Sequence, residues 1–283
     1  MAVSPTRVAR RRIANGFFTA ACIAVTVLAL AALAAILWSL VSQGLAGMNL
    51  AVFTRSTPAP GSSGGLANAI VGSIMLGLVA MAIAVTIGIL AGTWLAEYAG
   101  MSRYGSAVRF LNDVLLSAPS ILVGLFVYEI LVAPFRGFSG FAGAVALSLL
   151  AAPVITRTTE DVLKLQATAL REAGVALGTP PWRVIGRILW RSGASGIITG
   201  ALLAFARISG ETAPLLFTAL NNQFFSLDMR GPMANLPVVI YQFALSAYDD
   251  WRRLAWAGAL IIAASVLGVT IVARVLSTEQ KHS

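Results

Sequence analysis

Leu170-Arg-Glu-Ala-Gly-Val-Ala-Leu-Gly-Thr-Pro-Pro-Trp182, running on as Arg183-Val-Ile-Gly-Arg-Ile-Leu-Trp-Arg191, is the longest strongly charged segment in a chain that is otherwise mostly hydrocarbon. Leu163, Ala167, Leu170, Gly174 and Leu177 recur at steps of four and three, a spacing that predicts one face of a helix. Gly178 is a natural C-terminal stop. Thr179 then suits the cap of a second helix, and Pro180 its first position. The pattern reads as helix, sharp turn, helix. On local grounds alone, a solvated loop joining two membrane spans fits as well.

The rest of the chain settles its class. Hydrophobic residues make up 58% of the 283 and charged residues 11%, where a soluble domain carries about 25% charged. The chain is therefore an integral membrane protein, expected to be all-α because its apolar runs have the length of membrane-crossing helices. Cys22 is the single cysteine and His282 the single histidine. That excludes an internal disulfide, most protein-built zinc or iron sites and a workable Ser-His-Asp apparatus, so no metal and no cofactor are expected in this chain. The net charge of +9 is better matched to anionic lipid at the inner leaflet than to nucleic acid, because no basic, aromatic-rich soluble domain is present to bind one.

Outward from the charged loop, six apolar stretches fall in order. Residues 1–15 form a basic arm with Arg7, Arg10, Arg11 and Arg12. The run from Phe17 to Val41 is too long for a signal core and suits an uncleaved first span. With the external loop to residue 64 it makes up segment 16–64. Gly61-Ser-Ser-Gly-Gly65 fits a hydrolase elbow in letters only, because Pro58-Ala-Pro60 precedes it and no usable histidine exists. Span two covers about Leu66 to Leu95, with Gly72, Gly77, Gly88 and Gly92 permitting close helix approach. Span three covers Ala107 to Ala133, with Asp113 in its first turn and a kink at Pro119. Span four covers Phe138 to Ile155. Span five covers Gly193 to Leu220 and is interrupted at Pro214. Leu236 to Ala247 is too short to cross and reads as re-entrant or interfacial. Span six is Leu254 to Val275, inside a body of residues 65–276, before a tail of 277–283.

With the N-terminus inside, Lys and Arg number four in the arm, two after span two, six in the charged loop at 157–191 and two near the C-terminus. Five lie outside, and Arg207 sits within a span. That bias places both termini and the loop in the cytoplasm.

Arg207 and Glu211 are four apart, hence on one face if the helix continues. A lone Arg in a bilayer costs about 2.5–3.5 kcal/mol on insertion scales, and a neighbouring Glu offsets part of this. The pair is either an internal packing contact or a pore-facing anion site, for which a guanidinium is well shaped. Glu129 is either an interfacial carboxylate or part of the same path. No Gly-Lys-Ser or Gly-Lys-Thr occurs: the only lysines are Lys164 and Lys281, so any ATPase is a separate chain.

Glu172-Ala173-Gly174, three residues, Gly178, nine residues and Ile188 resembles the EAA loop of ABC-importer permeases, with Gly in place of the second Ala and Trp190-Arg191 in place of Leu-Pro. Gly210-Glu-Thr-Ala-Pro-Leu-Leu216 resembles the PstA-type permeases of phosphate ABC importers, and the resemblance spans about residues 60–276. It implies a MetI-like fold of six transmembrane helices. It implies that Glu172, Ala173, Gly174, Gly178, Thr179 and Pro180 couple to ATP-binding-cassette ATPase subunits, which carry ATP and Mg. It implies a second, PstC-type permease and an extracytoplasmic phosphate-binding protein. Inorganic phosphate would pass Arg207, Glu211, Thr212 and Glu129, with Pro214 as a helix break. Another oxyanion such as sulfate or molybdate, and a non-transporting scaffold or sensor, are the alternatives. A lipid-modifying enzyme lacks its His, Asp or Lys cluster.

Overall fold

Long runs of Ala, Gly, Val, Leu and Ile leave the backbone polar groups only one another for partners in an apolar medium, and helices satisfy them. A computed structural model describes residues 5–279 apart from Met101, and every regular element among them is helical. In chain order these are α1 (Pro5–Gly47), α2 (Leu50–Thr54), α3 (Ala67–Glu97), α4 (Arg103–Ser117), α5 (Ser120–Val127), α6 (Gly140–Lys164) and α7 (Thr168–Ala176). They continue as α8 (Pro181–Val184), α9 (Trp190–Ser192), α10 (Ala194–Ile208), α11 (Ala213–Thr218), α12 (Leu236–Ala244) and α13 (Asp249–Glu279). A π-helical turn, Tyr128–Val132, extends α5, and a second, Ile185–Leu189, joins α8 to α9. Lys281 and His282, in the expected tail, lie outside the described residues.

Among the described residues, four helices are long and apolar enough to cross a membrane: α1 from Arg10, α3, α6, and α13 as far as Val275. Two bent pairs also qualify: α4 with the α5 segment, bent by 106°, and the α8–α9 segment with α10, bent by 72°. Counting each pair once gives six.

The third span is thus not one helix kinked at Pro119, as the sequence suggested, but two. Ala118 and Pro119 are both extended (ψ 135° and 130°), so α4 stops and α5 leaves in a new direction. Proline disfavours helix for the residue before it, and both residues here are out of it. Because α4 begins at Arg103, Asp113 falls in its third turn, not the first, and lies 3.9 Å from Arg157. The stretch expected to be re-entrant or interfacial is the short helix α12, inside the helical body with Val238, Val239 and Phe243 buried. Its start is capped by the buried Asn235, whose Oδ1 accepts the Val238 N–H.

The core forms where small residues recur. Leu76, Ala80 and Ala84 of α3 pack on Ala144, Leu147, Ala151 and Ile155 of α6, with Ala204 and Ile208 of α10 closing the cluster. A methyl on Gly88 would sit 2.7 Å from Ile155 Cβ, and one on Gly92 only 2.5 Å from the Thr156 carbonyl. Such close backbone approach supplies packing where the surroundings are as apolar as the side chains. Helix α1 meets α13 near its C-terminal end, where Gly44 and Gly47 lie against Leu260 and Arg253.

Candidate functional site

The charged stretch folds into a knob at one end of the bundle, between α6 and α10. Its first helix, α7, ends in the geometry that Gly178 makes available. Gly178 has φ +72°, its N–H bonds to the Val175 carbonyl (2.9 Å), and the Thr179 N–H reaches back to Gly174 (3.2 Å). This paired pattern is the left-handed helix termination that glycine favours. Thr179 therefore completes the end of α7 and does not cap the next helix. Pro180 takes the capping position and Pro181 the first turn, one residue later than expected. Leu163 belongs to α6, not to the face shared by Leu170 and Gly174, because the chain turns at 165–167 before α7 begins. Leu177, expected on that face, is 84% exposed.

The knob has a packed inner side and an open outer side. Gly174 is buried against Val184, whose Cγ2 would be 2.7 Å from an alanine Cβ, which accounts for Gly at this position. Leu163, Ile185 and Leu189 form a small core beneath it. Outward face Glu172, Ala173, Val175, Leu177 and Trp182, all exposed, with the Arg183 guanidinium over the Trp182 ring.

Charged groups that sequence reasoning did not single out tie the knob down. Arg171 donates from Nη2 and Nε to the two carboxylate oxygens of Glu97, at 2.6 and 3.0 Å. This raises the Arg171 pKa above its ordinary value. Glu160, 1% exposed, accepts from both Arg109 Nε and Lys164 Nζ. A Glu four residues before a Lys on one helix was a readable signal for half of that cluster. Arg109, 51 residues away in sequence, gave none.

The second expected site does not form as a helical pair. Helix α10 ends at Ile208, one residue past Arg207. Ser209 Oγ bonds back to the Phe205 carbonyl (2.7 Å) and the Glu211 N–H closes a turn onto Ile208 (3.2 Å). Gly210 follows Ser209 at this weak point, so Glu211 lies in a non-helical link. No ion pair joins it to Arg207 among the described residues, and the internal packing pair is not present. Arg207 is exposed and Glu211 half-buried. Thr212 lines an open cavity of about 430 Å³ with Ala206, Gly210, Pro237 and Ile262. Pro214 does not interrupt a helix: it lies in the first turn of α11, where a missing N–H costs nothing. It packs on Gly124 of α5, where a Cβ would come within 2.6 Å of its Cα. Glu129 is exposed on the π-helical turn that packs beside α11. No cluster of His, Cys, Asp and Glu suited to a metal occurs among the described residues.

Comparison with known proteins gives these features a family. The profile described as "Binding-protein-dependent transport system inner membrane component" matches residues 84–281. The Yersinia pestis "Phosphate transport system permease protein PstA" is 56% identical over 87% of this chain and 84% of its own length. The Pasteurella multocida protein of the same name is 55% identical over 85% and 86%. A Methanocaldococcus jannaschii protein with the corresponding "probable" name is 34% identical over 88% of each. Among solved structures, an inward-facing MetNI methionine ABC transporter chain aligns with a TM-score of 0.62 at 18% identity, over 74% of this chain and 94% of that one, a likeness of fold. With four to six apolar spans and these matches, this chain belongs to the inner-membrane permease components of binding-protein-dependent transport systems, in the PstA-type branch.

Proposed function

We propose that this chain forms half of the transmembrane path of an ATP-driven importer and carries inorganic phosphate inward by alternating access. The observation that carries this reading is the knob. A segment braced by the Gly174–Val184 contact across the Gly178 turn presents Glu172, Val175, Leu177 and Trp182 outward. Separate ATP-binding-cassette ATPase subunits, holding ATP and Mg, dock there, because force from their closure needs a stiff contact with the spans. The knob and both termini then face the cytoplasm, in line with the excess of Lys and Arg on that side. A PstC-type permease supplies the other half of the path, and an extracytoplasmic phosphate-binding protein delivers the ligand at the opposite end. The permease body is residues 65–276, preceded by the accessory first span.

Phosphate as cargo draws support from relatives at 51–56% identity that bear that name. The break at residues 209–212 supports a path at Arg207. Non-helical backbone at membrane depth is tolerated where it lines a cavity, and Thr212 lines one. Arg207, free of Glu211 in this state, offers paired donors to the anion. Glu211 and Glu129 limit how tightly it is held, so that it leaves.

The test is labelled-phosphate and labelled-sulfate uptake in vesicles holding the assembled transporter, with wild type and Glu172→Lys. Phosphate uptake and ATP hydrolysis that depend on one another in the wild type, and lose that dependence in the variant, support the reading. Equal transport of sulfate reassigns the cargo, and normal coupling in Glu172→Lys removes the docking role.

A further inference from the structure

The knob meets the spans through more than chain connectivity. It joins α6 through the turn at 165–167 and runs into α8 through the Gly178 turn, two places where backbone rotation would absorb a load placed on α7. Arg171 bridges the first of them. Besides its two bonds to Glu97, its Nη2 donates to the Leu163 carbonyl (2.7 Å) and its Nη1 to that of Gln166 (2.9 Å), on either side of the end of α6. The Glu97 side chain is nine-tenths buried, and Glu97 is the last residue of α3. The same end of α3 gathers other ties. Trp190 Nε1 of α9 donates to Thr93 Oγ1 (3.0 Å), and Arg109 of α4 donates to the Leu95 carbonyl (3.0 Å). Residues 93–97 are thus bonded to α4, α7 and α9, while Gly88 and Gly92 lock the preceding turns of α3 onto α6.

We propose that the Glu97–Arg171 pair is a transmission latch, and that Glu97 is a positioning residue that makes α3 move with α7 when the docked ATPases close. The proposal rests on the ATP-driven import reading above. The bidentate, charge-assisted geometry fixes orientation as well as distance, which a load-bearing joint between two helices requires. Without the carboxylate, α7 still docks but pivots at 165–167, and hydrolysis no longer moves α3.

The experiment uses the complete transporter in vesicles and reads phosphate moved per ATP hydrolysed. Glu97→Gln and Arg171→Gln are each expected to lower that ratio about tenfold while hydrolysis continues. The double variant is expected to be no lower than Arg171→Gln alone, because that substitution already removes the contact with Glu97 together with the bonds to the Leu163 and Gln166 carbonyls. A ratio unchanged in either single, or losses that multiply in the double, overturns the latch. A purely structural role would lower the amount of complex and leave the ratio alone. If Glu97→Gln fails to assemble, Glu97→Asp keeps the charge and draws it back one methylene. A ratio reduced about threefold then supports the latch, and an unaltered one overturns it. Wild-type vesicles that hydrolyse ATP but move no phosphate refute the import reading instead. The latch is then judged by stimulation of hydrolysis by the binding protein, which Glu97→Gln must abolish; stimulation that survives overturns it.

Discussion

Gly174→Ala gives the knob the alanine that the EAA pattern carries at this place, and in this chain it is expected to do harm. The new Cβ would sit 2.7 Å from Val184 Cγ2 and 3.0 Å from Cγ1, where carbon atoms prefer about 3.5–4.0 Å. Val184 is buried and β-branched, with essentially one rotamer open to it in a helix, so it cannot swing aside. Overpacking of this kind costs about 1–3 kcal/mol, and the better helix propensity of alanine returns about 1 kcal/mol. The net loss is about 0–2 kcal/mol, borne by the packing of α7 on α8. Val184→Ala alone gives up about 2 kcal/mol of buried side chain but vacates the space that a methyl at position 174 needs. In that background, Gly174→Ala should stabilise by up to about 1 kcal/mol. The sign of one substitution thus reverses with its neighbour. Amide hydrogen exchange over residues 168–189 of the assembled, purified complex measures the local opening free energy directly. A Gly174→Ala effect of the same sign and size in both backgrounds would refute the contact as described.

Two other substitutions probe the ties around the site. Arg109→Met leaves the buried Glu160 with Lys164 alone and strips donors from the Leu95 and Gly100 carbonyls. A loss of about 3 kcal/mol should appear as a lower yield of folded complex, and Arg109→Lys should recover only part of it, because one nitrogen cannot span the acceptors that Nε, Nη1 and Nη2 reach separately. At the opposite end, the buried Asn68 side chain bonds Thr57 twice and the Asn222 and Gln223 carbonyls. Asn68→Ala should cost about 1–3 kcal/mol and speed hydrogen exchange at residues 221–225, with no change at 168–189.

The features legible in the sequence are those written in local chemistry. Gly178 announced the end of α7, and Gly88 and Gly92 announced the close approach that α3 makes to α6; both follow from a missing Cβ. What escaped depends on partners far along the chain. Spacing in a list presupposes a helix, so Arg207 and Glu211 looked like neighbours until Ser209 and Gly210 ended α10 between them. Pro119 flagged a kink, but a bend of 106° reflects α5 packing on Pro214 through Gly124, which no periodicity encodes. The Arg171–Glu97 and Arg109–Glu160 bonds cross 74 and 51 residues. Within one helix a charge pair repeats at three or four, whereas pairs between helices leave no such mark. The one-residue displacement of the second knob helix follows from Pro181, which keeps Pro180 extended (ψ 144°) and so out of the helix.

The claim at the centre is that this chain conducts phosphate past Arg207. Labelled-phosphate uptake in cells lacking any other phosphate importer, and expressing wild type or Arg207→Gln at equal membrane levels, tests it most directly, with sulfate uptake followed in parallel. Uptake that requires the chain, that is lost in Arg207→Gln, and that leaves sulfate entry untouched is the predicted result. Phosphate entry that persists without the chain, or that runs with normal kinetics in Arg207→Gln, contradicts it.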